Sequence, residues 1–186
     1  KQILSNLEQN NVNTTYMDTI ENEKSGTAHI TLFDDDNRII VVPAANNYVT
    51  AESVLPKLEN FSAGDIIVMQ HEIPESTIKD VVDYAIDHDM KVILNPAPYR
   101  KLANTIIDKV TWLTPNETES ELLFDNQVDD ALKAYPHKLI VTKGASGAMY
   151  YSDSQQLVEG YKKQVVDTTG AGDTFNGALA VALIEN

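Results

Sequence analysis

The sequence predicts a doubly wound α/β fold, in which helices cover both faces of a mostly parallel sheet. Its 186 residues are enough for one domain with a sizeable core, and 42% of them are apolar against 23% charged. Between residues 66 and 142, short apolar segments alternate with segments whose apolar residues recur at helical spacing. That alternation is typical of a parallel sheet buried on both faces. We therefore expect a single α/β domain over residues 1–186.

The N-terminal part of the chain predicts a helix, a short strand and a β-hairpin. The apolar residues of segment 3–7 recur at helical spacing, and residues 12–20 could form a short strand. Residues 27–33 and 38–42 flank the acidic turn 34–37, as the two strands of a hairpin would. The second of these strands is apolar on both faces, so we expect both of its faces to be covered.

The remainder of the chain predicts alternating strands and helices. Thr50 has the residue type of a helix N-cap and precedes a helix that extends to Leu58. The strands are expected at 66–69, 91–94, 110–113, 139–142 and 165–167, with a second hairpin at 148–151 and 155–158. The helices are expected at 75–88, 102–108, 116–123, 129–134 and 173–184. The last helix is apolar around its whole circumference, which predicts that it is buried in the intact protein. In this chain alone we expect one of its faces to meet water.

Composition narrows the classes of partner. The chain has 14 Lys and Arg against 28 Asp and Glu, a net charge of −14, so nucleic acid and anionic membranes are unlikely partners. No apolar run reaches the ~18 residues of a membrane span. There is no cysteine, which excludes disulfides and thiolate chemistry and favours a cytoplasmic location. No paired ligand spacing links the histidines, which are His29, His71, His88 and His137.

The strongest chemical signal is the segment DTTGAGDTFNG at residues 167–177. It combines a strand end, a Gly-rich turn and a helix start, where backbone N–H groups can hold an anion. Asp173 would lie in the first helical turn, either as a helix cap or as a general base beside that anion. Phe175 stands where a dinucleotide fingerprint needs its third glycine, and the sequence has no P-loop pattern.

Further segments accompany this loop, in an order and spacing that resemble the ribokinase-like (PfkB) family of carbohydrate kinases over nearly the whole chain. They are VPAAN at 42–46, VMQHEIP at 68–74, NPAP at 95–98, TPNETE at 114–119 and TKGASG at 142–147. Ala44 is a departure, because we expect a glycine there. The resemblance implies a ribokinase-like fold in which residues 27–42 contribute to a lid over the sugar.

The reaction implied by the resemblance is transfer of a phosphoryl group from ATP to the 5-hydroxyl of D-ribose, with magnesium bridging the phosphates. Asp173 would be the catalytic base and would contact the sugar together with Glu72. Catalysis would also use an anion hole formed by the N–H groups of Gly170, Ala171 and Gly172. The ATP-binding residues would be Asn116, Thr142, Lys143, Gly144, Ala145, Ser146, Gly147, Gly172 and Asp173.

Metal ions enter through the same resemblance. Glu119 would act on Mg²⁺ through ordered water, and Asp167 with the carbonyl of Thr169 would hold an activating K⁺. Each of these residues also has a structural interpretation. Asn116 and Glu119 could cap a helix, and Asp167 could close a strand. In the same way, Lys143-Gly144 could form a turn and Glu72 could be a surface residue.

Other functions stay open at this point. The chain could come from another sugar or nucleoside kinase of the family, or it could be a non-catalytic acidic module that keeps the fold. A nicotinamide-dependent oxidoreductase is disfavoured by Phe175. Because the family's N-terminal sugar-holding region and its C-terminal nucleotide region have no counterpart here, we expect a truncated form that is inactive alone. The intact enzyme is expected to be a homodimer that associates through the lid.

Overall fold

The structure is a computed structural model that describes residues 2–33, 36–161, 164 and 167–185. Its helices are α1 (Gln2–Gln9), α2 (Ala51–Leu58), α3 (Glu75–Asp87), α4 (Asn104–Lys109), α5 (Glu117–Leu123), α6 (Val128–Ala134) and α7 (Ala171–Glu185). Its strands are β1 (Thr27–Phe33), β2 (Asp36–Val42), β3 (Ile66–Gln70), β4 (Lys91–Asn95), β5 (Trp112–Leu113), β6 (Ile140–Thr142), β7 (Ala148–Tyr151) and β8 (Gln155–Val158). Short 3₁₀ helices follow β2 and β6.

The strands β3 to β8 lie side by side in sequence order. β3, β4 and β5 pair in parallel, and a parallel bridge between Leu113 and Leu139 continues this order to β6. β6, β7 and β8 pair antiparallel, while β1 and β2 form a separate antiparallel ribbon. The predicted parallel sheet and both predicted hairpins are therefore confirmed.

Helices cover both faces of this sheet. The register places Met69 beside Leu94, and both belong to the apolar core that α3 and α4 complete. Successive side chains of a strand alternate between faces, so Val68 and its neighbour Ile93 lie on the opposite face. Ile93 is fully buried there, where α7 contacts β3 and β4. The predicted doubly wound α/β class is confirmed.

The local signals for helix starts are largely correct. Thr50 precedes α2 in a capping box, in which its backbone N–H donates to Oγ of Ser53 over 3.2 Å. The predicted helix at 173–184 begins two residues earlier, at Ala171. The strand expected at 110–113 is confined to Trp112 and Leu113.

The strand expected at residues 12–20 is wrong. Asn11 has a left-handed backbone with a φ of 59°, and the N–H of Met17 donates to the carbonyl of Thr14 in a turn. These turns use backbone groups that a strand would offer to a neighbour. Asp34 and Asp35 of the acidic turn, and residues 165 and 166 of the strand expected at 165–167, lie outside the described residues.

One apolar side of the last helix is exposed, as expected for this chain alone. Within α7, only Asn176 is buried, whereas Val181 and Ile184 are 55% and 66% exposed. The sheet covers one side of the helix, and nothing among the described residues covers the other. Ile40, in the apolar strand β2, is 62% exposed. No helix among the described residues has the length and apolar character needed to cross a membrane.

Candidate active site

The candidate site lies where the carboxyl ends of β3, β4 and β5 meet the first turn of α7. Gln70 ends β3, Asn95 ends β4, and Thr114 follows β5. This edge is where open α/β sheets bind ligands. The Nε2 of Gln70 donates to Oδ1 of Asp173 over 3.2 Å, which brings the predicted base to this edge.

The Gly-rich turn adopts the backbone that its glycine favours. Gly170 has a φ of 77°, in the left-handed region. The N–H of Ala171 donates to the carbonyl of Thr168 over 3.1 Å, so this predicted member of the anion hole takes part in the turn. The helical ladder begins with the N–H of Thr174, which donates to Gly170 over 2.9 Å. The N–H of Gly172 has no partner within the helix, as is usual in a first turn.

Gly172 leaves the helix end open. A Cβ placed on this residue would meet no atom within 4 Å, and its φ is not in the left-handed region. The fold therefore does not require a glycine here. The missing side chain allows a ligand to approach the first-turn N–H groups, where the helix dipole favours negative charge.

A buried polar network lies behind this turn. The Oγ1 of Thr114 donates to Oδ1 of Asn176 over 2.7 Å, and Nδ2 of Asn176 donates to the carbonyl of Gly172 over 2.8 Å. The Nδ2 of Asn95 donates to the carbonyl of Thr114 over 2.7 Å. Sequence reasoning did not single out these three residues or Gln70. Polar residues at the ends of apolar strands are the signal that could have found them.

Asn116 and Glu119 form a reciprocal capping box at the start of α5. The N–H of Asn116 donates to Oε2 of Glu119 over 2.9 Å, and Oδ1 of Asn116 accepts from the N–H of Glu119 over 2.8 Å. Their structural interpretation is therefore confirmed. Glu119 is only 8% exposed, and burial raises the pKa of its carboxyl above the usual value. A nearby cation would offset this cost of ionisation.

The described residues contain no group of three or more His, Asp or Glu that could hold a metal ion. Mg²⁺ does not require such a group, since it usually keeps several waters and binds one or two carboxylates together with substrate phosphates. Glu119 is the carboxylate that the family resemblance assigns to this ion, through water.

The predicted ATP loop, Thr142–Gly147, lies beside Asn116. A parallel bridge joins Asn116 to Thr142, whose N–H donates to the carbonyl of Pro115 over 2.9 Å. Lys143 pairs with Glu117 of α5 at 3.2 Å. Gly147 has a φ of 105°, and a Cβ there would lie 1.9 Å from the carbonyl oxygen of Val158. This glycine is therefore required by the fold itself.

Glu72, the predicted sugar contact, is exposed beyond the end of β3. It lines a cavity of about 1010 Å³. Val41 and Val42 of the hairpin and Val54 of α2 line the same cavity. The structure therefore brings Glu72 and the predicted lid to one cavity. Gln70, two residues before Glu72, connects this side of the site to Asp173.

Asp167 and Thr169 form a short turn just before the Gly-rich loop. The N–H of Thr169 donates to Oδ1 of Asp167 over 2.8 Å, and this bond holds the pKa of the Asp167 carboxyl below its usual value. The carboxylate is therefore ionised at neutral pH. Together with the Thr169 carbonyl it supplies oxygen donors, the kind that K⁺ would need.

A family profile described as pfkB family carbohydrate kinase matches residues 1–186. The ribokinase of Bacillus subtilis (strain 168) is 46% identical over 185 residues, which are 98% of this chain and 63% of that protein. The ribokinase of Lactococcus lactis is 41% identical over 188 residues, which are 100% of this chain and 62% of that protein. The chain thus spans less than two thirds of the length of these relatives.

Solved structures agree with the fold. The ribokinase of Thermotoga maritima superposes with a TM-score of 0.83 at 30% identity, and the match covers 100% of this chain and 64% of that one. The similarity therefore extends over all of the elements described above.

Proposed function

Because this chain belongs to the pfkB family of carbohydrate kinases, we propose that its protein transfers the γ-phosphoryl group of ATP to the 5-hydroxyl of D-ribose. Similarity to curated ribokinases supports a sugar kinase. The observation that carries the finer proposal is the placement of Asp173. It lies in the first turn of α7, next to Gly172, where an added Cβ would meet no atom within 4 Å, and in contact with Gln70 at the end of β3.

In the proposed reaction, Asp173 is the general base. Its Oδ1 accepts from Gln70, so we assign the incoming proton to Oδ2. As the sugar oxygen forms its bond to the γ-phosphorus, the bond from that phosphorus to the bridging oxygen of ADP breaks, and the hydroxyl proton passes to Asp173. The N–H groups in the first turn of α7 stabilise the negative charge that develops on the transferred group. Gly170, Ala171 and Gly172 form the backbone around them.

ATP is proposed to lie along the edge formed by α5 and the loop Thr142–Gly147. The bridge between Asn116 and Thr142 supports this, because it places the backbone of Asn116 beside the loop. Glu119 would hold Mg²⁺ through water, and this ion supplies neutralisation of phosphate charge when bound. Asp167 and the carbonyl of Thr169 would hold K⁺ directly before the Gly-rich turn.

The sugar is proposed to bind between Glu72 and Asp173, under the hairpin β1–β2. The cavity that Glu72 shares with Val41 and Val42 supports this placement. The hairpin also supports a homodimer formed through the lid, since Ile40 and Val42 are 62% and 44% exposed. Sedimentation of the complete protein at micromolar concentration should give a dimer, and a monomer alone would contradict the lid interface.

The proposed function is tested by incubating the complete protein with ATP, Mg²⁺ and D-ribose and identifying the product by ³¹P NMR. We expect ADP and ribose 5-phosphate to form in equal amounts. A parallel panel of 2-deoxyribose, fructose and nucleosides measures specificity through kcat/KM. Preferred phosphorylation of another sugar would overturn the ribose assignment and retain the carbohydrate kinase. ATP consumption without a phosphorylated sugar would overturn both.

A further inference from the structure

A buried hydrogen bond between Thr114 and Asn176 joins α7 to the end of β5. The Oγ1 of Thr114 lies 2.7 Å from Oδ1 of Asn176, and the two residues are 1% and 2% exposed. Buried polar groups without a partner are costly, so Oδ1 of Asn176 depends on Thr114, whose hydroxyl also lies 3.4 Å from the carbonyl of Leu94. The amide of Asn176 is oriented by a second bond, from its Nδ2 to the carbonyl of Gly172 over 2.8 Å.

The two ends of this bond carry different parts of the candidate site. Thr114 lies two residues before Asn116, on the segment that leads into the capping box of α5. Asn176 lies three residues after Asp173, on the same side of α7. Through its bond to Gly172 it contacts the turn whose N–H groups face the proposed phosphate site. A shift at this junction would therefore move Asp173 relative to Asn116.

Apolar packing against β3 and β4 holds the rest of α7, with four of its residues half-buried. Asn176 is the only buried residue of the helix, and Val181 is 55% exposed. The other side-chain bond from this helix to the strand ends, between Asp173 and Gln70, is exposed to solvent. Apolar packing is non-directional, whereas a buried hydrogen bond fixes distance and orientation. The placement of the first turn thus depends on the Thr114–Asn176 bond.

We propose that Thr114 and Asn176 are positioning residues of the phosphoryl-transfer site, which hold Asp173 and Gly172 in register with Asn116. This inference rests on the proposed function, and neither residue is assigned a contact with substrate. Well-placed reacting groups are sensitive to small displacements, since a misplacement of about 1 Å can lower a rate about 100-fold. The expected signature is a loss in kcat that exceeds any change in KM.

The test uses the complete protein with three variants of this pair and one matched control. Thr114→Val removes the hydroxyl at nearly constant volume, whereas Thr114→Ser keeps the hydroxyl. Asn176→Ala removes the oxygen that accepts from this hydroxyl. Thr77→Val is the control, because Thr77 is also 1% exposed and its Oγ1 donates to the carbonyl of Val49 over 2.8 Å, away from α7. Steady-state kcat, KM for ATP and thermal stability are measured for each variant.

We expect Thr114→Val and Asn176→Ala each to lower kcat about 10- to 100-fold, with KM for ATP within about threefold of the parent. The loss of rate in the double variant should be smaller than the product of the two single losses, since the two changes remove one shared bond. Thr114→Ser should recover most of the rate. Thr77→Val should lower thermal stability with kcat unchanged. If Thr114→Val loses stability as Thr77→Val does but keeps the parent kcat, the positioning role is overturned.

A second readout does not depend on the reaction. Amide hydrogen exchange should become faster in residues 170–174 of Thr114→Val, while exchange in α3 stays as in the parent. If the parent phosphorylates no sugar, the proposed function fails. In that case only the hydrogen-exchange rates test whether the Thr114–Asn176 bond holds the first turn of α7. Unchanged exchange in residues 170–174 would overturn the junction even in an active kinase.

Discussion

The side-chain amide of Gln70 donates a hydrogen bond to the carboxylate of Asp173, with 3.2 Å between Nε2 and Oδ1. The two residues are 103 positions apart in the sequence. The bond joins the last residue of β3 to the first turn of α7. Its consequence is that one oxygen of the proposed base is already held, and the other can face the sugar hydroxyl.

The variant Gly172→Ala tests whether a ligand binds at the open N-terminal end of α7. Since a Cβ there meets no atom within 4 Å, Gly172→Ala should keep or raise the free energy of unfolding, by up to about 1 kcal/mol. The same methyl group would displace the phosphate, so kcat/KM for ATP should fall about 100-fold. Gly177→Ala is the matched control, because a Cβ on Gly177 in the same helix is also unobstructed. Equal activity of the two variants would contradict the ligand site.

Glu119 should carry a pH-dependent cost in stability. Burial raises its folded pKa above the usual 4.5, so the unfolded chain loses its proton first as pH rises. The free energy of unfolding contributed by this group therefore falls between pH 4.5 and the raised folded value. Glu119→Gln keeps an oxygen for the N–H of Asn116 and cannot ionise. Its stability relative to the parent should grow as pH rises through this window. The substitution should also lower the sugar kinase activity below that of the parent.

Chemical denaturation at a series of pH values measures this difference. Glu121→Gln, an exposed change on the same helix, serves as the control and should show no comparable trend. A stability difference for Glu119→Gln that stays constant across the window would contradict the assigned cause.

His71 predicts a loss of stability in acid. It is 4% exposed, and burial lowers its pKa from 6.5 to about 4, with a further contribution from the charge of Arg100. Below pH 6.5 the unfolded chain binds a proton on His71, whereas the folded chain binds it only near pH 4. Up to about 3 kcal/mol of stability should be lost across this window, since one pKa unit corresponds to about 1.4 kcal/mol.

Urea denaturation of His71→Gln checks this linkage. The variant should lose less stability than the parent between pH 6.5 and 4. His137→Asn is the control, because His137 is exposed and asparagine tolerates its φ of 59°. If His71→Gln and the parent have identical profiles of stability against pH, then another group causes the loss of stability in acid.

Features that depend on near neighbours in the chain could be predicted from sequence. Gly170 adopts the left-handed turn that its segment predicts, and Asn116 caps α5 through Glu119. Ala44, where a glycine is expected from the family resemblance, has a φ of 44°, a region that favours glycine. In each case the signal and the structure lie within a few residues of one another.

Features that depend on distant parts of the chain could not be predicted. The bond between Thr114 and Asn176 joins residues 62 positions apart, and although both lie in motifs, no local pattern shows that they pair with each other. Burial of α7 on every side was expected only in the intact protein, and composition does not show which side of it β3 and β4 cover. Residues 12–20 contain strand-forming types, and turns at Asn11 and Met17 override that preference.

Potassium activation tests the proposed cation site. Asp167 and the carbonyl of Thr169 lie directly before Gly170, so a cation there would fix the turn that aims the N–H groups at phosphate. The complete protein should turn over faster in KCl than in tetramethylammonium chloride at equal ionic strength. Asp167→Asn should remove most of that difference. Equal rates in the two salts for the parent would argue against a cation at this turn.

The central claim is that Asp173 accepts the proton of the sugar hydroxyl, and Asp173→Asn in the complete protein tests it most directly. Asparagine keeps an oxygen for the amide of Gln70, so the geometry of the site should persist. Asp129→Asn is the matched control, since Asp129 is an exposed acid in the first turn of α6. We predict that Asp173→Asn lowers kcat about 10²- to 10⁴-fold with ATP affinity retained, while Asp129→Asn keeps the parent rate. A kcat for Asp173→Asn within a few-fold of the parent would contradict the account.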